Sequence, residues 1–146
     1  MDPFSDHANS PEEWAALGTK WAAAAVALRD QGFGIQGWSL AGFACECVIK
    51  ARAMKHLRLN AWPSRTMCRQ KGWDALYTHD LIRIAELAGI SIQPMDAIAP
   101  KWKVVIQWSR HHMYANGSAV TDRVLDDLYT ASLGAEGVLQ WLEEKL

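Results

Sequence analysis

The apolar positions of this chain recur at three- and four-residue steps and never alternate with period two for long, so helices are expected and strands are not. Ser10-Pro11-Glu12-Glu13 is a complete helix start: Ser10 caps, Pro11 suits the first helical position and Glu13 closes a capping box. Trp14, Leu17, Trp21, Ala24 and Leu28 then share one face, the run Ala22 to Ala25 allows close approach of a neighbour, and Gly32 and Gly34 end the helix. A second helix is predicted from about Gly37 to Leu57. Its seam is Leu40, Ala44, Cys47, Ala51 and Met54, with Glu46 and Lys50 at the favourable i, i+4 spacing on another face. The stretch Asn60 to Tyr77 reads as irregular. A third helix starts near Thr78-His79-Asp80, turns Leu81, Ile84, Ala85 and Ala88 inward and stops at Gly89. A fourth begins at either Asp96 or Pro100 and carries Trp102, Val105 and Ser109 on one stripe. After Asn116-Gly117-Ser118 a fifth runs from about Thr121 to Glu144. It keeps Val124, Leu128, Ala131, Ala135, Val138 and Leu142 in register, and Gly134 and Gly137 weaken it slightly. The expectation is one all-α domain, a bundle of about five helices over residues 10–146, after a flexible tail at residues 1–9.

Composition supports a packed core. Half of the 146 residues are apolar and 21% are charged, and a domain of this length buries roughly two-thirds of its unfolded surface without a disulfide or metal staple. The net charge of −1 gives the whole molecule no general attraction to nucleic acid or membrane. Cys45, Cys47 and Cys68 are an odd set with no framework spacing, which suggests reduced thiols and a cytoplasmic protein. The polar, acidic first residues are unlike a secretory signal. The apolar run Trp21 to Leu28 is too short to span a bilayer, so no membrane partner is expected. Most of the eight tryptophans should anchor the core, with one or two left to line a binding surface.

Charge is unevenly spread. From Cys47 to Trp73 there is no acidic residue and there are seven basic ones (Lys50, Arg52, Lys55, Arg58, Arg65, Arg69 and Lys71), with Trp62 and Trp73 among them. A phosphate backbone and unstacked bases would use such a stripe, which makes Lys50, Arg52, Arg65 and Arg69 candidates for RNA or nucleotide binding. The plainer alternative is a solvated helix face with cations favoured in its last turn. By contrast, Thr121 to Leu146 holds six acids and two bases.

Little of the chain suggests metal or cofactor chemistry, and none is expected. Cys45 and Cys47, two apart on a helix, point to different sides and do not form a metal pair. No glycine-rich phosphate loop or serine elbow occurs. The best polar cluster is Arg110-His111-His112-x-Tyr114. Histidine moves protons near neutral pH, arginine holds a phosphate, and tyrosine hydrogen-bonds a phosphate or stacks on a base. Together they form a kit for cleaving RNA with its own 2′-hydroxyl as nucleophile; the alternative is a helix C-terminus decorated with favourable cations. In Thr78-His79-Asp80 simple N-capping is the plainer reading, although His79 could face the same groove as Glu46 and Lys50.

Three segments in order resemble the HEPN family of small helical domains. They are Gly42-Phe43-Ala44-Cys45-Glu46-Cys47-Val48-Ile49-Lys50-Ala51, Thr78-His79-Asp80-Leu81, and Trp108 to Tyr114, followed by a last helix ending in Trp141-Leu142. The resemblance covers about Trp14 to Leu142. It implies an antiparallel bundle that forms a homodimer, and in many members a metal-independent endoribonuclease of toxin–antitoxin or defence systems. The family's site uses an Arg, four to six variable residues, a His and often x-Tyr. His112-Met113-Tyr114 matches the second half, while Val105, Ile106 and Gln107 stand where the Arg belongs. A second register sets Arg110-His111 on the Arg-Tyr pair of relatives described as RNA- or nucleotide-binding. The resemblance thus implies an RNA-associated domain, with Arg110, His111, His112 and Tyr114 as its catalytic candidates. The competing reading is a non-enzymatic homodimeric interaction module pairing with a nucleotidyltransferase-like or antitoxin partner. That reading predicts an exposed tryptophan-rich patch.

Overall fold

Ser10 does cap the first helix: in the computed structural model, which describes residues 1–146, its hydroxyl accepts from the Glu13 amide at 3.1 Å. Helix α1 spans Pro11–Asp30 and α2 spans Gly34–His56. The link between them is three residues long. Gly32 takes a left-handed φ of 89°, and the Phe33 amide returns to the Leu28 carbonyl at 2.8 Å, folding α2 back along α1. Gly34, expected to end the first helix, instead begins the second. Its carbonyl accepts the Tyr129 hydroxyl at 2.8 Å, which ties the start of α2 to a later helix.

From Ala41 to Ala51 every residue of α2 is buried except half-buried Phe43. A helix buried on all sides is the axis of its fold. Around it pack α1, α4 (Leu81–Leu87), α6 (Asp122–Leu133), α7 (Val138–Glu144) and a 3-10 turn at Arg110–Tyr114. Close contact depends on glycines in the helices. A Cβ on Gly18 of α1 would lie 2.8 Å from Val48 Cγ2, and one on Gly37 would lie 1.9 Å from the Tyr129 hydroxyl. Ile49, Met54, Leu76, Ile84, Val138 and Leu142 fill the centre. The fold is all-α, with seven α-helices and two 3-10 turns, and no helix is long and apolar enough to cross a membrane.

The helix count exceeds the expected five for local reasons. The stretch expected to be irregular contains α3 (Arg65–Lys71), capped by the Ser64 hydroxyl and closed by left-handed Gly72, and then a 3-10 turn at Asp74–Tyr77. The fifth helix breaks in two. Extended Gly134 and Gly137 flank left-handed Glu136 (φ 58°), and a Cβ on Gly134 would lie 2.6 Å from the Thr130 carbonyl oxygen. The break leaves Ala135 in solvent and redirects Val138, Leu139 and Leu142 into the core. Helix α5 (Ala99–Val105) starts one residue before Pro100, which lies in its first turn as the second expectation had it, while the Asp96 carboxylate holds the Gln93 amide of the preceding turn at 2.7 Å and does not cap the helix. It ends at Val105. The Arg110–Tyr114 cluster therefore sits on its own turn, capped by the Ser109 hydroxyl, and not at a helix C-terminus. At the other end of the chain, the Asn9 side chain accepts the Trp62 amide at 3.0 Å, so the last residue of the expected tail is bonded to the body.

Candidate functional site

Two segments face each other across a groove of about 590 Å³. One wall is Thr78 to Ile82, leading into α4, and the other is Ile106 to His111, beyond α5. Local chemistry builds each wall. Asp80 caps α4 by accepting the Ile82 and Arg83 amides at 3.1 and 3.2 Å, which projects His79 just outside the helix. On the opposite wall, Trp108 is seated against α2, where its indole N–H donates to the Ser39 carbonyl at 3.1 Å. Gly42 makes this seat: a Cβ there would lie 2.0 Å from the Trp108 ring. The residues after Trp108 are thereby held beside the groove.

His79 is anchored from within. Its Nδ1 lies 2.8 Å from Glu46 Oε1, and the other carboxylate oxygen accepts from Lys50 Nζ at 3.0 Å. Glu46 and Lys50 are 0% and 4% exposed, so the pair expected on a face away from the helix seam is inside the protein. Burying two charges costs free energy unless they meet each other with good geometry. Here both carboxylate oxygens are used, and Lys50 Nζ also lies 5.4 Å from the Trp14 ring and 5.8 Å from that of Trp62. Because a carboxylate only accepts, Nδ1 of His79 carries the proton, leaving Nε2 for the half-exposed outer edge of the ring. The Trp14 and Trp62 rings continue to Tyr77 and to the Arg65 guanidinium, at successive separations of 4.6, 5.6 and 4.4 Å. Tyr77 leads directly into the Thr78-His79 wall.

The four residues of the histidine-rich turn divide. Arg110 and His111 line the groove. Arg110 forms no ion pair, and its guanidinium lies 5.6 Å from the Phe43 ring centre. His112 turns away: its Nδ1 accepts the Trp38 indole N–H at 2.9 Å. Burial first, and the neighbouring His111 second, push its pKa below the ordinary 6.5, and the indole bond also favours the neutral ring. Tyr114 is 77% exposed, its ring 6.4 Å from that of His111.

The basic segment does not form a wall of the groove. Arg65 is exposed and lies over the Tyr77 ring, Arg69 is exposed on α3, and Arg52 is half-buried. The Arg52 Nη1 atom is buried without a hydrogen-bond partner, and burial lowers its pKa. Of that segment only Lys50 reaches the site, through Glu46. Cys45 and Cys47 are both buried, and burial raises each thiol to about 12. No three His, Cys, Asp or Glu side chains gather in a metal-binding arrangement. Trp38 and Trp108 are buried and the other six tryptophans are partly buried, so none stands fully exposed as the interaction-module reading expected.

Sequence reasoning missed Trp14, Tyr77, Trp38 and Gly42 as parts of the site. Trp14 and Gly42 carry a helical pattern, and nothing in that pattern distinguishes a core contact from a contact to a buried lysine or an indole. The chain matches no protein-family model, no characterised protein and no solved structure.

Proposed function

We propose that this is a HEPN-like, RNA-associated domain that holds an RNA phosphodiester in the groove between Thr78–Ile82 and Ile106–His111. The observation that carries the reading is the meeting of His79, held by buried Glu46, with Arg110 and His111 on one groove. Arg110 has no carboxylate partner and so keeps its donors for a phosphate. The likeness of three sequence segments to HEPN domains supports the same reading.

The same groups supply the parts for metal-independent cleavage. His79 Nε2 takes the proton of the RNA 2′-hydroxyl as its oxygen attacks phosphorus, and Glu46 stabilises the imidazolium that forms. His111 gives a proton to the departing 5′-oxygen, and Arg110 offsets the charge that builds on the phosphoryl oxygens. The products are a 2′,3′-cyclic phosphate and a 5′-hydroxyl. In this assignment His79 replaces His112 as the principal histidine, because His112 is held by Trp38.

The test is single-stranded RNA binding by anisotropy, with cleavage followed in chelator. Arg110→Ala should weaken binding about tenfold or more, on the scale of one lost charged hydrogen bond. His79→Asn should stop cleavage while retaining binding. Wild-type affinity in both Arg110→Ala and a second groove variant, His111→Ala, would sink the reading.

A further inference from the structure

Beside the groove lies a second, smaller cavity of about 250 Å³, and Arg110 and Trp108 border both. Its walls come from Trp21 of α1, Leu40 and Phe43 of α2, and Met113 of the histidine-rich turn. The lining is apolar with a single cation. Trp21 and Phe43 meet edge to face, 5.7 Å apart at 74°. The floor is pinned, because Trp108 is hydrogen-bonded to the Ser39 carbonyl and packed against Gly42. The mouth is adaptable, because Met113 is 53% exposed and methionine is unbranched and polarizable.

Two polar groups reach this slot with hydrogen-bonding capacity left over. Ser39 gives its hydroxyl proton to the Ile35 carbonyl at 3.3 Å, so its oxygen can still accept. Arg110 has no ion-pair partner and can donate. At 250 Å³ the slot is smaller than the roughly 300–1,000 Å³ pockets that enclose drug-sized ligands. It suits one flat heteroaromatic ring, not a whole nucleotide. A planar ring with both donors and acceptors on its edge, attached to an anion that lies just outside, is a nucleobase on its phosphate.

We propose that this slot receives one unstacked nucleobase, while Arg110, standing between the slot and the groove, holds the adjoining phosphate. The inference rests on the RNA reading of the groove and adds base recognition to it. Aromatic side chains stack on unstacked bases with little preference for sequence, and Ser39 and Arg110 would read the edge.

The experiment compares wild-type binding of a six-nucleotide oligoadenylate with that of an abasic ribose-phosphate oligomer of the same length. The expected result is tighter binding of oligoadenylate by about 5- to 150-fold, the range for one base stacked on an aromatic side chain. Trp21→Leu, which takes one ring from the wall and leaves an apolar side chain, brings oligoadenylate down toward the abasic level while the helical circular dichroism is kept. Competition by adenosine 5′-monophosphate but not by ribose 5-phosphate, at concentrations matching the oligomer, assigns the base to a free nucleotide. Competition only at far higher concentrations assigns it to RNA, and either result supports the slot. Equal binding of the two oligomers, or an unchanged preference in Trp21→Leu, overturns the slot and leaves the groove standing. Failure of both oligomers to bind overturns the groove reading, and the slot with it.

Discussion

Glu46 is the residue on which the site turns. One carboxylate oxygen orients half-exposed His79 and the other neutralises Lys50 inside the protein. Removing one partner of a buried ion pair leaves the other charge uncompensated, which typically costs about 3–5 kcal/mol. Glu46→Leu should therefore lower stability to urea by that amount. Replacing the pair together, Glu46→Leu with Lys50→Met, should restore most of it, because two apolar groups of similar size need no partner. If the double variant is as unstable as the single one, the loss comes from packing and not from the stranded ammonium. His79, half-exposed, keeps water as a partner in either variant, so its loss of orientation would be read in cleavage and not in stability.

At the level of elements, short helices do the positioning. Helix α4 is only seven residues long and begins on Asp80, whose carboxylate accepts two backbone amides. Asp80→Ala should cost about 1 kcal/mol in thermal or urea unfolding, the usual loss for an N-cap. It should also weaken RNA binding, since the cap sets where His79 leaves the chain. Asp80→Asn should recover most of both losses, because asparagine caps nearly as well. This cap was legible from Thr78-His79-Asp80 followed by an apolar run. The break in the last helix was not. Gly134 and Gly137 cost a helix little by propensity, but the fold uses them for a turn that admits no Cβ near the Thr130 carbonyl. The short α3 was equally hidden, because seven residues hold too few turns to show a period.

Across the whole molecule, α2 is the shared wall that brings distant segments together. Through Gly42 it seats Trp108, through Glu46 it holds His79, and through Trp38 it takes His112 out of the groove. Gly42→Ala should act at this scale. The added methyl would lie 2.0 Å from Cδ1 of the Trp108 ring, far inside van der Waals contact, so the ring must move. Overpacking of this kind costs about 1–3 kcal/mol, measurable by urea unfolding. Because Ile106 to His111 follow the ring, RNA affinity should fall as well. Loss of stability with full RNA affinity would show that Trp108 does not position that wall.

The sequence by itself determined the all-α class, the two long helices, the cap at Ser10, a second cap at either Thr78 or Asp80, and the grouping of Arg110 and His111. These depend on periodicity and on side chains acting on backbone a few residues away, and such interactions are visible in one dimension. Only the tertiary structure decided that Glu46 and Lys50 are buried, that His79 and not His112 shares the groove with Arg110, and that the basic segment apart from Lys50 does not line it. The physical reason is the burial of α2 on every side. A surface ion pair and a buried one have the same i, i+4 spacing, and which of them a helix carries depends on what packs against it from elsewhere in the chain.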